Sequence, residues 1–167
     1  AASITAVHLP RGGMPALGDN PLFLGCADYR STIASNGESS GFTFPEEMRR
    51  HADKGTALVT DKDPGDAEIA EVVSQAAPHS CIVLGTYNGH ILQGQLRLAK
   101  ALAATGLPMI LVALRNPYDL RNMPNHVAAL AGWEYTRPLF DALWPVLNGT
   151  ARPTGKLPLL TLTKAAK

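Results

Sequence analysis

Long hydrophobic runs, cysteine pairs and an excess charge of either sign are all missing from this 167-residue chain. No apolar stretch approaches the ~20 residues that a membrane-spanning helix needs. Two cysteines, Cys26 and Cys81, cannot make a disulfide framework or a zinc site by themselves. Lys and Arg number 15 against 14 Asp and Glu, a formal net charge of +1. That balance predicts neither a nucleic-acid footprint nor a polybasic membrane anchor. The chain has no G-x-G-x-x-G after its first strand, no Walker A motif and no G-x-S-x-G elbow. NAD, ATP and serine-hydrolase chemistry are therefore disfavoured, and no cofactor is expected. His8, His51, His79, His90 and His126 form no H-x-H or H-x-x-x-H pair, so no metal site is expected either. The sequence opens Ala1-Ala2-Ser3, with no Met and no signal segment, and reads as processed or cut from a longer polypeptide. Its compartment is left open.

What is present is a globular composition, 46% apolar and 17% charged, with enough chain to bury a sizeable core. Residues 1–167 read as one α/β domain with a lead-in over 1–20 and an extended tail over 153–167. Ile4–Leu9 is extended and ends at Pro10, and residues 11–20 are a loop. Leu22–Cys26, Thr56–Thr60, Cys81–Leu84, Met109–Ala113 and Val127–Ala131 read as strands, their short apolar runs marking burial on both faces. Helices are predicted from Phe44 to Asp53, with Pro45 in the first turn, from Gly65 or Asp66, from about Ile91 to Ala104, and from Pro138 to Leu147. In the second, Ile69, Val72, Val73 and Ala76 share a face; in the third, Leu92, Leu96, Ala99 and Leu102 or Ala103 point inward. Residues 31–41 are a polar Ser/Gly stretch. Alternation of strand and helix predicts a doubly wound, mostly parallel sheet with helices on both faces, an α/β/α sandwich. Its ligands belong beyond the carboxyl ends of the strands, at loops 27–41, 61–65, 85–91, 114–125 and 132–137.

The chemistry-bearing candidates are sparse. Ser39 and Ser40 lack the context of a nucleophile. Cys26 and Cys81 read as buried thiols with no basic neighbour to activate them. His51 and His79 read as exposed residues at helix ends, whereas His90 sits in a strand-to-helix loop at the edge where ligands bind. Asn148-Gly149-Thr150 matches a glycosylation sequon but reads more simply as a turn after a helix. Arg115-Asn116-Pro117-Tyr118-Asp119-Leu120 follows a buried strand directly. Pro117 fixes its own φ and makes Asn116 extended. Asp119 then either caps the backbone that follows or meets a ligand, and Arg115 pairs with Asp119 or with a partner domain. Spacing alone leaves both readings open.

Two segments carry a family resemblance. Met109 to Leu120, reading MILVALRNPYDL, and Pro153 to Pro158, reading PTGKLP, together resemble the C-terminal domain of glycoside hydrolase family 3. Gly132-Trp133-Glu134-Tyr135 before the last helix fits the same order, and the likeness covers about residues 56–162. Within that family the chain most resembles the β-N-acetylhexosaminidase branch. In the β-glucosidase branch, the loop after the strand matching Ile82–Leu84 supplies the acid/base carboxylate. Here it reads Gly85-Thr86-Tyr87-Asn88-Gly89-His90, with no Asp or Glu. A retaining glycosidase needs two carboxyl-type groups about 5 Å apart. The hexosaminidase branch draws its catalytic groups from a preceding (β/α)8 barrel, which is absent here. The resemblance thus implies an accessory domain that packs on such a catalytic barrel and walls its cleft for a carbohydrate substrate. It implies no catalytic residue in this chain, and places Tyr87, Asn88, His90, Arg115, Asn116, Tyr118 and Asp119 near the sugar or the interface. The alternatives are a stand-alone sugar- or small-ligand-binding module, a flavodoxin-like or dehydrogenase-like cofactor domain, and an enzyme in its own right with His90 or Asp119 as base.

Overall fold

The computed structural model describes residues 4–28 and 41–156. Ala1–Ser3, Ser39 and Ser40, most of the polar stretch and the tail beyond Lys156 lie outside the described residues. The elements are β1 (Thr5–His8), β2 (Pro21–Cys26), α1 (Phe44–Ala52), β3 (Thr56–Thr60), α2 (Asp66–Ala76) and β4 (Cys81–Thr86). There follow α3 (Gln93–Ala103), β5 (Met109–Ala113), a 3-10 turn (Pro117–Leu120), β6 (Val127–Ala131) and α4 (Arg137–Leu147). No helix among the described residues is long and apolar enough to cross a membrane.

The six strands form one sheet in the order β1-β6-β5-β4-β2-β3. Strands β2 to β6 are parallel, and β1 closes one edge antiparallel to β6. This is the doubly wound α/β architecture that the alternation predicts. Helices α1 and α4 cover one face, where Phe23, Phe44, Met48, Leu139, Phe140 and Leu143 pack together. Helices α2 and α3 cover the other with Ile69, Val72, Leu98, Leu102 and their strand partners Leu24, Leu84 and Leu111. Val73 is only partly buried there. Local chemistry starts the helices: Thr43 Oγ1 accepts from Glu46 N–H and Thr136 Oγ1 from Leu139 N–H. Pro45 and Pro138 occupy first-turn positions, where a missing N–H leaves nothing unpaired.

Three expectations need correction. First, β4 does not end at Leu84: Gly85 and Thr86 still pair with Val112 and Ala113, so the loop begins at Tyr87. A Cβ on Gly85 would lie 2.5 Å from the Phe44 ring, so the glycine admits that ring against the strand. Second, α3 begins at Gln93, and its buried residues are Gly94, Gln95, Leu98, Ala99, Leu102 and Ala103. Leu92 and Leu96 are only partly buried. The rotation follows from Gly94, whose missing side chain lets the helix meet the Pro64 carbonyl, and from hydrogen bonds that hold Gln95 inside. Third, β3 is an edge strand rather than one buried on both faces, and Val59 is 43% exposed.

Candidate functional site

The chain runs outward from β2 to β3 and then crosses back to place β4 on the other side of β2. In an open parallel sheet, that reversal opens a crevice at the carboxyl ends of the two flanking strands. Here the reversal falls between β2, ending at Cys26, and β4, ending at Thr86. The loop after β4 and the 3-10 turn after β5 stand beside it.

Tyr87 leads the first loop. Its N–H donates to Gln95 Oε1 at 2.8 Å, and its carbonyl accepts from Gln95 Nε2 at 3.0 Å. The same Gln95 amide reaches the Lys62 carbonyl at 2.8 Å, so one side chain ties the loops after β3 and β4 together. The Tyr87 hydroxyl accepts from Arg115 Nη1 at 2.8 Å. Its ring meets Tyr135 edge-on at 5.4 Å and is only 7% exposed, which leaves no open face for a sugar. Asn88 is buried at φ 57°, a left-handed conformation that Asn tolerates, and its carbonyl accepts from Ile91 and Leu92 N–H. The loop is a tight turn, closed by its own backbone and tied down by the Gln95 amide.

Asp119 comes from the other segment and is fully buried. Its Oδ2 accepts from Gly89 N–H at 2.9 Å and its Oδ1 from His90 N–H at 2.7 Å. The expectation that it caps the backbone after it, or pairs with Arg115, is therefore corrected. Asp119 reaches back across the sheet edge, and Arg115 turns instead to Tyr87. Asn116 does the local capping, its Oδ1 accepting from Tyr118 N–H at 3.0 Å. Tyr118 is 40% exposed, with the Arg121 guanidinium 4.3 Å over its ring and the His90 ring 6.5 Å away. All seven residues singled out in the sequence thus gather in two adjoining loops. Tyr87, Asn88 and Asp119 are buried there, while Arg115 and Tyr118 face outward.

Sequence reasoning missed Tyr135 and Gln95. The Tyr135 hydroxyl accepts from Phe44 N–H at 2.7 Å and donates to the Cys26 carbonyl at 3.0 Å, bridging β2, α1 and the segment after β6. Burial pushes its phenol well above the usual range. A glutamine on an otherwise apolar helix face is the signal for Gln95. Thr86 Oγ1 is buried with no partner among the described residues. Glu47 pairs with Arg50 within α1 and joins α1 to α4 through Arg137. Burial would raise its carboxyl, but the two guanidiniums win and hold it below the ordinary value.

Elsewhere the candidates turn structural. Burial pushes the Cys26 and Cys81 thiols up to about 12, so neither is a nucleophile near neutral pH. His51 is not simply exposed: its Nε2 lies 2.9 Å from Asp141 Oδ1 and its ring stacks on Trp144. His79 Nδ1 lies 3.1 Å from the Asn20 carbonyl. Asn148 and Thr150 bond to each other in a turn after α4. No three His, Cys, Asp or Glu side chains converge to hold a metal among the described residues. A cleft of about 430 Å³ opens at the opposite, amino edge between Met14, Leu17, Trp144 and Leu147, with the charged Lys54 in its lining.

No family model matches the chain, and no curated protein matches it in sequence. Solved structures do. A glycoside hydrolase family 3 β-N-acetylglucosaminidase from Paenibacillus sp. str. FPU-7 aligns with 93% of this chain at 23% identity and a TM-score of 0.79. A fungal multi-domain family 3 β-N-acetylglucosaminidase aligns with 93% at 17% identity and a TM-score of 0.66. A β-glucosidase from Listeria innocua aligns with 93% at 15% identity and a TM-score of 0.69. The chain spans 30%, 18% and 25% of those chains, respectively. It therefore has the fold of one portion of solved glycoside hydrolase family 3 enzymes.

Proposed function

We propose that this chain is the second, accessory domain of a retaining family 3 glycosidase acting on terminal β-N-acetylhexosamine, and that it packs on a (β/α)8 catalytic barrel and walls its cleft. The observation that carries this reading is the engagement of Asp119. The loop after β4 has no carboxylate of its own, and the one packed against it spends both oxygens on Gly89 and His90. A buried carboxylate held by two N–H donors builds a loop; it does not deliver a proton to a glycosidic oxygen. The acid/base and nucleophile then come from the barrel. The hexosamine branch draws support from the lack of a carboxylate in the loop Tyr87-Asn88-Gly89-His90. Tyr118, His90, Arg115 and Asn116 are the residues through which the domain meets sugar or barrel, with Tyr87, Asn88 and Asp119 supporting them from beneath.

The test is an assay with an aryl β-N-acetylglucosaminide, on the chain alone and then mixed with a family 3 barrel domain. Turnover only in the mixture is expected. Turnover by the chain alone would show that its own loops hold a catalytic pair and would sink the reading. Silence in both, together with saturable sugar binding by the chain, would favour a stand-alone binding module.

A further inference from the structure

His90 and Asp119 are 29 residues apart and meet only because the sheet sets their loops side by side. Asp119 is 0% exposed, yet no lysine or arginine pairs with it among the described residues. A buried carboxylate without a cation is costly unless donors surround it. The donors here are two backbone N–H groups and the His90 ring, whose Nδ1 lies 3.3 Å from Asp119 Oδ1. An ionised carboxylate only accepts. Against an ionised Asp119, Nδ1 is the nitrogen that carries the proton. His90 Nε2 has no hydrogen-bond partner among the described residues, and the side chain is 31% exposed. It emerges beside Tyr118, the exposed aromatic of this edge.

We propose that Asp119 is a positioning residue: it fixes His90 as the Nδ1–H tautomer, so that Nε2 stands at the carboxyl edge as the hydrogen-bond acceptor for a ligand hydroxyl. Neutral imidazole with one nitrogen tied to a carboxylate is oriented and a better acceptor at the other. The identity of the ligand as a sugar rests on the function proposed above; the tautomer does not.

Two measurements separate these layers. Long-range proton–nitrogen correlation spectra of the chain at pH 8 should show His90 as the Nδ1–H form, and Asp119→Asn should yield a mixture with the Nε2–H form. A wild-type ring found mainly as Nε2–H would overturn the proposal, and that spectrum decides even if the variant does not fold. In the barrel mixture, His90→Ala should raise KM about tenfold while kcat stays within about twofold, because an acceptor that binds ground and transition states alike acts on KM. His90→Gln, which places an amide oxygen near the Nε2 position, should recover most of that loss. An unchanged KM would overturn the acceptor role. If the mixture is silent, the proposed function fails, and N-acetylglucosamine titrated into the chain becomes the probe. The Nε2 resonance must then shift saturably, and a resonance that does not move overturns the acceptor role.

Discussion

Under α1 and α4 the sheet is packed with Phe23, Phe44, Phe140 and Tyr135; under α2 and α3 it is packed with Leu, Ile, Val, Met and Ala. The side chains of the aliphatic cluster do one job, the removal of apolar surface from water, and Gln95 of α3 reaches from that side to the edge loops. The aromatic face does two. Phe140 meets Phe44 at 5.4 Å and Tyr135 at 5.1 Å, Tyr135 meets Tyr87 at 5.4 Å, and Tyr87 holds Arg115. A continuous set of ring contacts thus runs from the core to the carboxyl edge. The buried groups whose ionisation is suppressed, Cys26, Cys81 and Tyr135, lie on this face too. Rings can carry a polar tip and still fill a core; aliphatic chains cannot.

Truncating one large side chain on each face has the largest expected effect. Phe140→Ala should cost roughly 3–5 kcal/mol and Leu102→Ala roughly 2–5 kcal/mol in denaturant unfolding. Only the former should also weaken the near-ultraviolet circular dichroism of the tyrosines and disturb the His90 ring signals. If Leu102→Ala does both equally, the two faces are not functionally distinct.

Asp119→Ala comes next. It strips the acceptors from Gly89 and His90 N–H, and should cost about 3 kcal/mol with faster amide exchange across residues 87–92. Tyr135→Phe keeps the ring and removes the hydroxyl, leaving the Cys26 carbonyl and Phe44 N–H unpaired. A loss of roughly 1–2 kcal/mol is expected by thermal or urea unfolding; an effect near zero would mean that water replaces the hydroxyl.

The mildest test is alkali. The folded chain raises the two thiols from 9.0 to about 12, and raises the Tyr135 phenol as well. Their stabilisation is complete below pH about 9, and it fades as pH rises towards 12, because the unfolded chain then releases protons that the folded one keeps. Unfolding free energy should fall across that window, and Cys26→Ala with Cys81→Ala should flatten the fall. Thiol labelling at pH 8 should be slow in the folded protein and fast in urea.

Much of the fold is legible in the amino-acid sequence. Unbroken apolar runs at Leu22, Cys81, Met109 and Val127 mark the inner strands, because a strand covered on both faces has no polar side to show. Helix faces are harder. The periodicity from Ile91 to Ala104 suggests Leu92 and Leu96 as inward, whereas the folded chain turns Leu98 and Gln95 inward instead. What decides this is a contact 31 residues away in sequence, Gly94 against the loop at Asp63 and Pro64. No local pattern encodes it. The site is half legible: its two loops stand out as segments at strand ends, but not the partners within them. Asp119 faces either the backbone after it or Arg115 in sequence terms, and finds Gly89 and His90 instead.

The layers, the strand positions and the lack of a carboxylate in the loop after β4 follow from residue type and short-range spacing alone. Long-range contacts set the order β1-β6-β5-β4-β2-β3, the point where that order reverses and the engagement of Asp119. Each of these rests on hydrogen bonds and burial between segments far apart in the chain, and such contacts become specific only once the backbone has been folded into place.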